Sequence, residues 1–265
     1  MRSKRILMRA IAESVSLARA FSPQRPGLRI LNYHSVGGHA LEDAKGIFSI
    51  SQLRFHSHIH LLANMEDCRT VPLQPLGLSQ QTLQVAVTFD DGYQDNLRVA
   101  APILIEHGIP FTVFVSSDFI KNRTTGFLTQ EELRELAGLP GVTIGAHGKS
   151  HRPLIACNDM ELQMELSSSK HYLEDLLGRS VTAVAYPFGA ANIRICDAAR
   201  QVGYDLGVCT RFNINTPDRD PLMLCRYNIE CDDTSRVLRQ KLHGNWDWYR
   251  WRSPDPLFQR VAREI

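Results

Sequence analysis

Two hydrophobic patterns take turns along most of this chain. Short apolar runs bounded by turn residues predict buried strands, and the stretches between them carry apolar residues at helical spacing. The predicted strands span residues 28–34, 69–73, 84–89, 110–115, 142–145, 181–186, 204–209 and 223–229. The predicted helices span residues 51–64, 95–107, 129–137, 158–177, 192–202 and 233–242. Such alternation predicts parallel strands covered by helices, and a closed or partly closed β/α barrel is the economical arrangement. A flat, doubly wound sheet is the alternative.

The start of the chain has a different character. Residues 5–21 predict an amphipathic helix, and Glu13 is the one acid among seven arginines and lysines in residues 2–29. Two interpretations compete, a helix docked on the body of the protein and a basic surface helix that contacts anionic lipid. Arg9 and Glu13 interrupt the apolar run, which argues against a secretory signal, and no segment is long enough to span a bilayer.

Composition predicts a soluble enzyme. The chain has 265 residues, of which 43% are hydrophobic and 22% charged, and its net charge of +2 gives no case for bulk nucleic-acid binding. Its six cysteines include no C-x-x-C pair, and several lie in apolar strand patterns as reduced core cysteines do. Free thiols and the absence of an export signal predict a cytoplasmic protein, with association to a membrane left open.

Two adjacent carboxylates, Asp90 and Asp91, follow the predicted strand 84–89. Neighbouring carboxylates at a strand end repel each other, so such a pair is usually held by a cation or used as a base. At a frayed strand end both side chains can turn into one pocket. The doublet is therefore a candidate for metal binding by one carboxylate and proton transfer by the other.

Two histidines, His147 and His151, follow the predicted strand 142–145. Gly145, Gly148 and Pro153 make a long helix unfavourable here, so a loop or single turn is predicted to present both imidazoles. Two imidazoles and one carboxylate, with one open position for water, form a common catalytic zinc shell. Either motif alone is weak, but their order at two strand ends predicts a hydrolytic metal site.

Three segments together resemble the polysaccharide deacetylases with a NodB homology domain, the family-four carbohydrate esterases. They are Thr88-Phe89-Asp90-Asp91-Gly92, the His147 to His151 motif with Pro153-Leu154, and Ala185-Tyr186-Pro187-Phe188-Gly189. The segments Ile30-Leu31-Asn32-Tyr33-His34 and Phe48-Ser49-Ile50-Ser51 resemble the poly-β-1,6-N-acetylglucosamine deacetylase branch. The resemblance implies a distorted (β/α) barrel with about seven parallel strands, with residues 1–27 as an N-terminal helix and linker and 28–265 as the catalytic domain.

The resemblance also implies roles for single residues. Asp91, His147 and His151 would hold Zn²⁺, for which Co²⁺ or Ni²⁺ could substitute, and Asp90 would be the base. Tyr186, Pro187 and Phe188 would shape the substrate and oxyanion pocket, with a backbone N–H near Phe188 as oxyanion donor. Two positions depart from the family pattern and leave alternatives open. His34 is favoured over His243 as proton donor to the amine. Many relatives carry an arginine that orients the base where this chain has Ala185; Arg226, grouped with the substrate and oxyanion pocket, is a candidate substitute for it, with a surface salt bridge as its other explanation.

The predicted function is a metal-dependent N-deacetylase that hydrolyses the acetamide of an N-acetylated sugar in a polysaccharide, oligosaccharide or glycolipid. Two alternatives share the fold. One is an amidohydrolase acting on another C–N bond, such as a deformylase of a lipid-linked sugar, and the other is a non-catalytic carbohydrate-binding relative. The presence of all three ligand candidates and the base argues against the last. The expected partner is an N-acetylated carbohydrate, with contact between residues 5–21 and a membrane as the further expectation and the oligomeric state left open.

Overall fold

Seven parallel strands form the centre of the computed structural model, which describes residues 2–18, 26–38, 43, 45–74, 82–252 and 255. We label these strands β1 to β7 in chain order: Gly27–Tyr33, Leu83–Phe89, Phe111–Val115, Val142–Ala146, Ala183–Ala185, Leu206–Val208 and Arg226–Asn228. Their order in the sheet is β7-β1-β2-β3-β4-β5-β6. Leu224, just before β7, forms a parallel bridge with Val208 of β6. The sheet therefore nearly closes on itself, which confirms the predicted seven-stranded β/α barrel.

Helices cover the outside of this barrel. They are labelled α1 to α8 within the described residues: Arg2–Ala18, Gln52–Ala63, Ala101–Glu106, Ser117–Lys121, Gln130–Gly138, Asp159–Leu177, Ile193–Val202 and Ser235–Leu242. Local sequence sets their ends. Asn158 and Glu161 form a reciprocal capping box at the start of α6, and Gly178 ends it with φ of +66°. Shorter strands lie at Ser35–Val36, Ser49–Ile50 and Cys68–Thr70, and 3₁₀ turns at Leu154–Ala156, Pro187–Gly189, Pro221–Met223 and Asp247–Arg252.

Two predicted elements differ from the structure, and one observed helix was not predicted. The helix predicted at 95–107 begins with a π-helical turn, Asn96–Ala100, and becomes α-helical only from Ala101. Pro102 has no N–H to donate into the preceding turn, which disfavours a regular α-helix there. The strand predicted at 69–73 is shorter, Cys68–Thr70, and α4 was not predicted because its five residues are too few for a helical repeat to be seen.

The strands are buried on both faces, as is typical of a parallel sheet under helices. Every residue of β1, β3, β5 and β6 is buried. The strand interiors therefore pack as core, and side chains that follow the strands at their carboxyl ends are free to line a site.

Helix α1 docks on the barrel through one face. Arg5 and Arg9 pair with the acidic turn that follows β7, Glu13 pairs with Arg236 of α8, and Ala12 is fully buried. The helix predicted at 5–21 thus lies at Arg2–Ala18, and the predicted residues 19–21 lie outside the described ones.

On the face of α1 that points away from the barrel, three large apolar side chains are 62–73% exposed: Ile6, Leu7 and Leu17. Contact of this face with anionic lipid stays a prediction. The helices that the structure describes include none with the length and apolar character needed to cross a membrane.

Candidate active site

The carboxyl ends of the barrel strands surround a cleft of about 190 Å³. Asp90 and Asp91 follow β2, and His147 follows β4, so two distant parts of the sequence meet at one end of the barrel. The cleft is lined by Asn32, His34, Asp43, Phe48, Asp90, Asp91, Tyr93, His147, His151, Phe188, Gly189, Thr210 and Asn228. The barrel therefore gathers both predicted motifs into a single pocket.

Asp91, His147 and His151 converge on one point. Asp91 Oδ1 lies 3.4 Å from Nε2 of His147 and 3.2 Å from Nε2 of His151. Ligands of a tetrahedral zinc ion, each about 2.0–2.1 Å from the metal, lie about 3.3 Å from one another. These three side chains have the donor types and the spacing of a zinc shell, and within the described residues they form one of two clusters able to hold a metal.

The tautomer of His147 also favours a cation between these groups. Its Nδ1 lies 2.7 Å from the carbonyl oxygen of Ala185, which can only accept, so Nδ1 carries the proton and donates it. In the neutral ring Nε2 then presents a lone pair to the carboxylate of Asp91, and two acceptors at 3.4 Å repel each other. A metal ion bound between these groups would remove this repulsion, and the Ala185 carbonyl holds the ring in the way that partners of metal-bound histidines commonly do.

Glu165 of α6 shapes the loop that carries both histidines. Its carboxylate accepts hydrogen bonds from the backbone N–H groups of Lys149 and Ser150, each at 2.9 Å, and from the Ser150 hydroxyl at 2.6 Å. This buried acid thus holds the turn between His147 and His151 in one conformation.

The backbone is strained at the site itself. Of the four described non-glycine residues with positive φ, three line the cleft: Asp91 at 74°, His151 at 57° and Phe188 at 60°. Such conformations cost about 1–3 kcal/mol each and cluster at functional sites. These three backbone conformations therefore lower the stability of the fold, and they place the three side chains in the lining of the cleft.

A buried arginine holds Asp90. Both guanidinium nitrogens Nη1 and Nη2 of Arg226, a fully buried side chain, donate to the two carboxylate oxygens at 2.7 Å. Asn32 Nδ2 donates to Oδ2 of Asp90 at 3.0 Å, and its own Oδ1 accepts from Arg226 at 3.0 Å. Asp90 Oδ2 lies 4.0 Å from Nε2 of His147. The carboxylate is thereby fixed beside the Asp91–His147–His151 cluster with one defined orientation.

Opposing effects set the pKa values of the two aspartates. Burial disfavours the charged form and would raise the pKa of Asp90, but the charge and hydrogen bonds of Arg226, aided by His147, lower it below its usual value. Burial also opposes ionisation of Asp91, but its contacts with the rings of His147 and His151 place its pKa well below the usual value. Both groups are therefore carboxylates at neutral pH.

The two candidate proton donors lie in different places. His34 lines the cleft, stacks on Phe48 with ring centroids 4.7 Å apart, and is anchored through its carbonyl by Asn96 Nδ2 at 2.7 Å. Burial lowers its pKa, which makes the protonated ring a stronger acid. His243, at the end of α8, pairs with Asp67 at 3.3 Å and does not line the cleft.

The segment Pro187–Gly189 forms part of the rim of the cleft, with Phe188 as its most exposed residue. Phe188 is 61% exposed and its ring lies 4.9 Å from that of His151. Gly189 follows with φ of +66°, and a Cβ there would lie 2.0 Å from Thr210 Oγ1, so no other residue fits. Pro187 is buried behind the rim, beside Gly148.

One sequence interpretation needs correction, and one alternative is excluded. Tyr186 was expected to help shape the substrate and oxyanion pocket, but its side chain is fully buried and its hydroxyl donates to the Leu222 carbonyl at 2.7 Å. Arg226, the candidate for the arginine that orients the base, is 0% exposed and bonded to both oxygens of Asp90, so it neither forms a surface salt bridge nor lines the substrate pocket. Tyr186 follows β5, and an alternating strand pattern cannot tell which residues turn toward the site once the strand has ended.

Three contributing residues were not identified from the sequence. They are Asn32, which fixes Asp90, Glu165, which holds the histidine loop, and Ala185, whose carbonyl fixes His147. The position of Asn32 two residues before His34, at the end of a strand, was the available signal for the first. Nothing local marks Glu165, since it belongs to an otherwise regular helix, and a backbone carbonyl carries no sequence signal.

At the strand ends of this seven-stranded parallel β/α barrel, the Asp-His-His cluster could hold a metal ion, and a buried Asp-Arg pair lies beside it. Residues 79–207 match the family model for polysaccharide deacetylase. This part of the chain is a polysaccharide deacetylase domain, and the protein is a hydrolase of the class that acts on carbon–nitrogen bonds other than peptide bonds.

Two relatives and one solved structure are similar to this chain. The chain is 29% identical over 203 residues to YxkH of Bacillus subtilis (strain 168), a protein assigned to the polysaccharide deacetylases, covering 76% of this chain and 71% of that one. It is 22% identical over 218 residues to the poly-β-1,6-N-acetyl-D-glucosamine N-deacetylase of Staphylococcus aureus (strain MSSA476), covering 76% and 73%. In fold it is similar to the Streptococcus pyogenes deacetylase PplD, with a TM-score of 0.72, 24% identity and coverage of 83% and 99%.

Proposed function

We propose that this chain is a metal-dependent N-deacetylase that removes the acetyl group from an N-acetylated sugar in a polysaccharide, oligosaccharide or glycolipid. The observation that carries the proposal is that Asp91 Oδ1 lies within 3.4 Å of Nε2 of both His147 and His151, beside a second carboxylate, Asp90, that Arg226 holds in place. The name of the Staphylococcus aureus relative, a poly-β-1,6-N-acetyl-D-glucosamine N-deacetylase, supports the choice of substrate class.

Asp91, His147 and His151 would hold the metal, with Zn²⁺ as the ion that best suits two imidazoles and a carboxylate. When bound, such an ion lowers the pKa of water and polarises a carbonyl group. The donor set also suits Co²⁺ or Ni²⁺.

Asp90 takes the proton of the attacking water. The lowered pKa of Asp90 keeps its side chain ionised at neutral pH. Hydrogen bonds from Arg226 and Asn32 hold the carboxylate in one orientation. Hydrolysis then adds water across the acetamide, which breaks the C–N bond and releases acetate and the free amine of the sugar.

Two further groups act on the developing charges. A backbone N–H of the Pro187–Gly189 turn donates to the carbonyl oxygen as it becomes negative, since the positive φ of Phe188 turns this segment toward the cleft. His34 protonates the departing amine; its ring lines the cleft and stacks on Phe48, which supports this role.

Removal of metal is the direct test of the whole proposal. Treatment with a chelator is expected to abolish acetate release from an N-acetylglucosamine oligomer, and addition of one equivalent of Zn²⁺ is expected to restore it. Metal content by mass spectrometry and released acetate and formate are measured together. Zinc-reconstituted protein with less than about a tenth of an equivalent of bound metal would refute the proposal, and release of formate in place of acetate would move the activity to a deformylase.

Substitution of the proposed proton donor tests the assignment of His34. His34→Ala is expected to lower kcat by a factor on the order of 10² with little change in metal content, because the amine then leaves without a positioned acid. His243→Ala is the matched control and should keep full activity, since His243 pairs with Asp67 away from the cleft. The reverse pattern, with His243→Ala inactive and His34→Ala active, would exchange the two roles.

A further inference from the structure

The ring of His34 is held in an unusual way for a histidine that transfers a proton. Its Nδ1 is buried and makes no hydrogen bond within the described part of the chain, while Phe48 stacks on the ring with centroids 4.7 Å apart. The second ring nitrogen of such a histidine is commonly bonded to a neighbouring group, which fixes the orientation of the ring. The position of His34 therefore depends on how the backbone segments that carry His34 and Phe48 are held.

A short strand follows each of the two stacked rings. Ser35–Val36 comes directly after His34, Ser49–Ile50 comes directly after Phe48, and the two strands pair in parallel. The pairing of these strands sets the separation of the backbone at His34 from the backbone at Phe48. A contact that fixes Ser35–Val36 therefore also fixes the stacked pair of rings.

Asp95 binds the chain that follows His34. Its carboxylate accepts hydrogen bonds from the Ser35 hydroxyl and from the backbone N–H groups of Val36 and Gly38. A Cβ at Gly38 would lie 2.6 Å from Asp95 Oδ2, so the carboxylate fills the space beside this glycine. Burial raises the pKa of Asp95 to about 6 against the effect of these hydrogen bonds, and the group is a carboxylate at neutral pH.

Asn96 binds His34 itself. Its fully buried Nδ2 donates to the His34 carbonyl at 2.7 Å and to Asp95 Oδ1 at 3.0 Å. Asp95 occupies the N-cap position of the turn Asn96–Ala100, yet its side chain makes no capping hydrogen bond. Helix capping therefore does not account for Asp95, and both side chains are directed to residues 34–38. We call the two residues the Asp95–Asn96 clamp.

We propose that the Asp95–Asn96 clamp positions His34 for protonation of the departing amine. This inference rests on the proposed function, in which His34 is the proton donor. Neither clamp residue lines the cleft, so both act through the backbone of residues 34–38. The clamp lies on the same segment after β2 as Asp90 and Asp91, so a short length of chain fixes the acid relative to the base and the metal site.

Two substrates that differ in their leaving group test the clamp. An N-acetylglucosamine oligomer releases an amine that must be protonated, whereas 4-nitrophenyl acetate releases a stable anion that needs no proton. In zinc-loaded protein, Asp95→Asn is expected to lower kcat on the oligomer by about tenfold with KM and zinc content unchanged. Hydrolysis of 4-nitrophenyl acetate should stay within about twofold of that of the natural sequence. Asn96→Ala, which removes the bond to the His34 carbonyl, should show the same selectivity.

The His34→Ala background separates positioning from a general loss of stability. Asp95→Asn should lower kcat on the oligomer no further in that background, because the clamp acts only through the missing ring. A further loss there, or equal losses on the two substrates in the single variant, would overturn the proposal.

Glu132→Gln is the matched control. Glu132 is a 9% exposed carboxylate that accepts hydrogen bonds from Gln94 and Arg98, which flank the clamp in sequence, and none of its hydrogen bonds goes to residues 34–38. This variant should lose stability in urea and keep its kcat on both substrates. A tenfold loss restricted to the oligomer in Glu132→Gln would also overturn the clamp, because any disturbance of this turn would then have the same effect.

The clamp and the proposed function fail in different ways. If the natural sequence releases acetate and His34→Ala is impaired but Asp95→Asn is not, the clamp is wrong and the deacetylase stands. If the natural sequence releases no acetate, the proposed function is wrong, and the Cε1–H signal of His34 in NMR spectra, identified by its absence in His34→Ala, tests the clamp by itself. Broadening or splitting of this signal in Asp95→Asn but not in Glu132→Gln would support positioning of the ring, and an unchanged signal would overturn it.

Discussion

Asp90→Asn is expected to lower turnover by about 10⁴-fold, while the folded protein keeps its zinc. The amide cannot accept the proton of the attacking water, whereas Asp91, His147 and His151 remain in place. Because the Asn side chain still offers one oxygen to Arg226, the hydrogen-bonded group of residue 90, Arg226 and Asn32 should persist with one weaker bond. Acetate release and metal content, measured on the same preparation after its fold has been checked by circular dichroism, give the result.

Asp91→Asn is the contrasting variant. It is the same chemical change one residue away, but it removes a proposed ligand, so bound zinc and activity should both be lost. If Asp90→Asn were to lose zinc while Asp91→Asn retained it, the two aspartates would have exchanged roles. An Asp90→Asn protein with unchanged turnover would remove the base from the mechanism altogether.

Arg226→Met is expected to destabilise the fold by about 3–5 kcal/mol, because it leaves the buried carboxylate of Asp90 without its counter-charge. Arg226 is 0% exposed and Asp90 4%, so water cannot replace the lost bonds without opening the barrel end. Loss of the two hydrogen bonds from Arg226 also leaves the Asp90 carboxylate free to rotate. Activity should therefore fall together with stability. Urea unfolding monitored by fluorescence measures the first effect and acetate release the second.

A double-mutant cycle separates this pair from the general cost of losing a buried arginine. Asp90→Asn should recover part of the loss in the Arg226→Met background, with a coupling energy of about 1–3 kcal/mol. Arg29→Met is the matched control, since Arg29 is 3% exposed and pairs with Asp247 instead. Asp90→Asn should give no such recovery there. Additive effects in the Arg226 cycle would mean that the arginine does not hold the base.

The hydrophobic repeats of this chain were sufficient to predict most of its strands and helices. Residues 142–145 and 84–89 are short apolar runs with nearly every position buried, and the structure makes them strands of a parallel barrel. The start of helix α5 could also be predicted from local sequence. Thr129 and Glu132 have the three-residue spacing of a capping box, and the structure forms both of its hydrogen bonds. Strand ends and helix ends are local properties, so local sequence determines them.

The pairing of Asp90 with Arg226 could not be read in the same way. The two residues are 136 positions apart, and they meet only because β7 lies beside β1 and β1 beside β2. From the sequence alone a surface salt bridge explained Arg226 nearly as well. Which strand neighbours which in a sheet depends on the closure of the whole barrel, and no local pattern records it.

The sequence by itself determined the strands, the helices and the identity of the side chains at each strand end, because hydrophobic periodicity and capping act over a few residues. The tertiary structure alone decided which of those side chains meet. Closure of the barrel brought Asp91 within 3.4 Å of both imidazoles, buried Arg226 against Asp90, and turned Tyr186 away from the cleft. The physical reason is that a parallel barrel aligns its strand ends in space without regard to their separation along the chain.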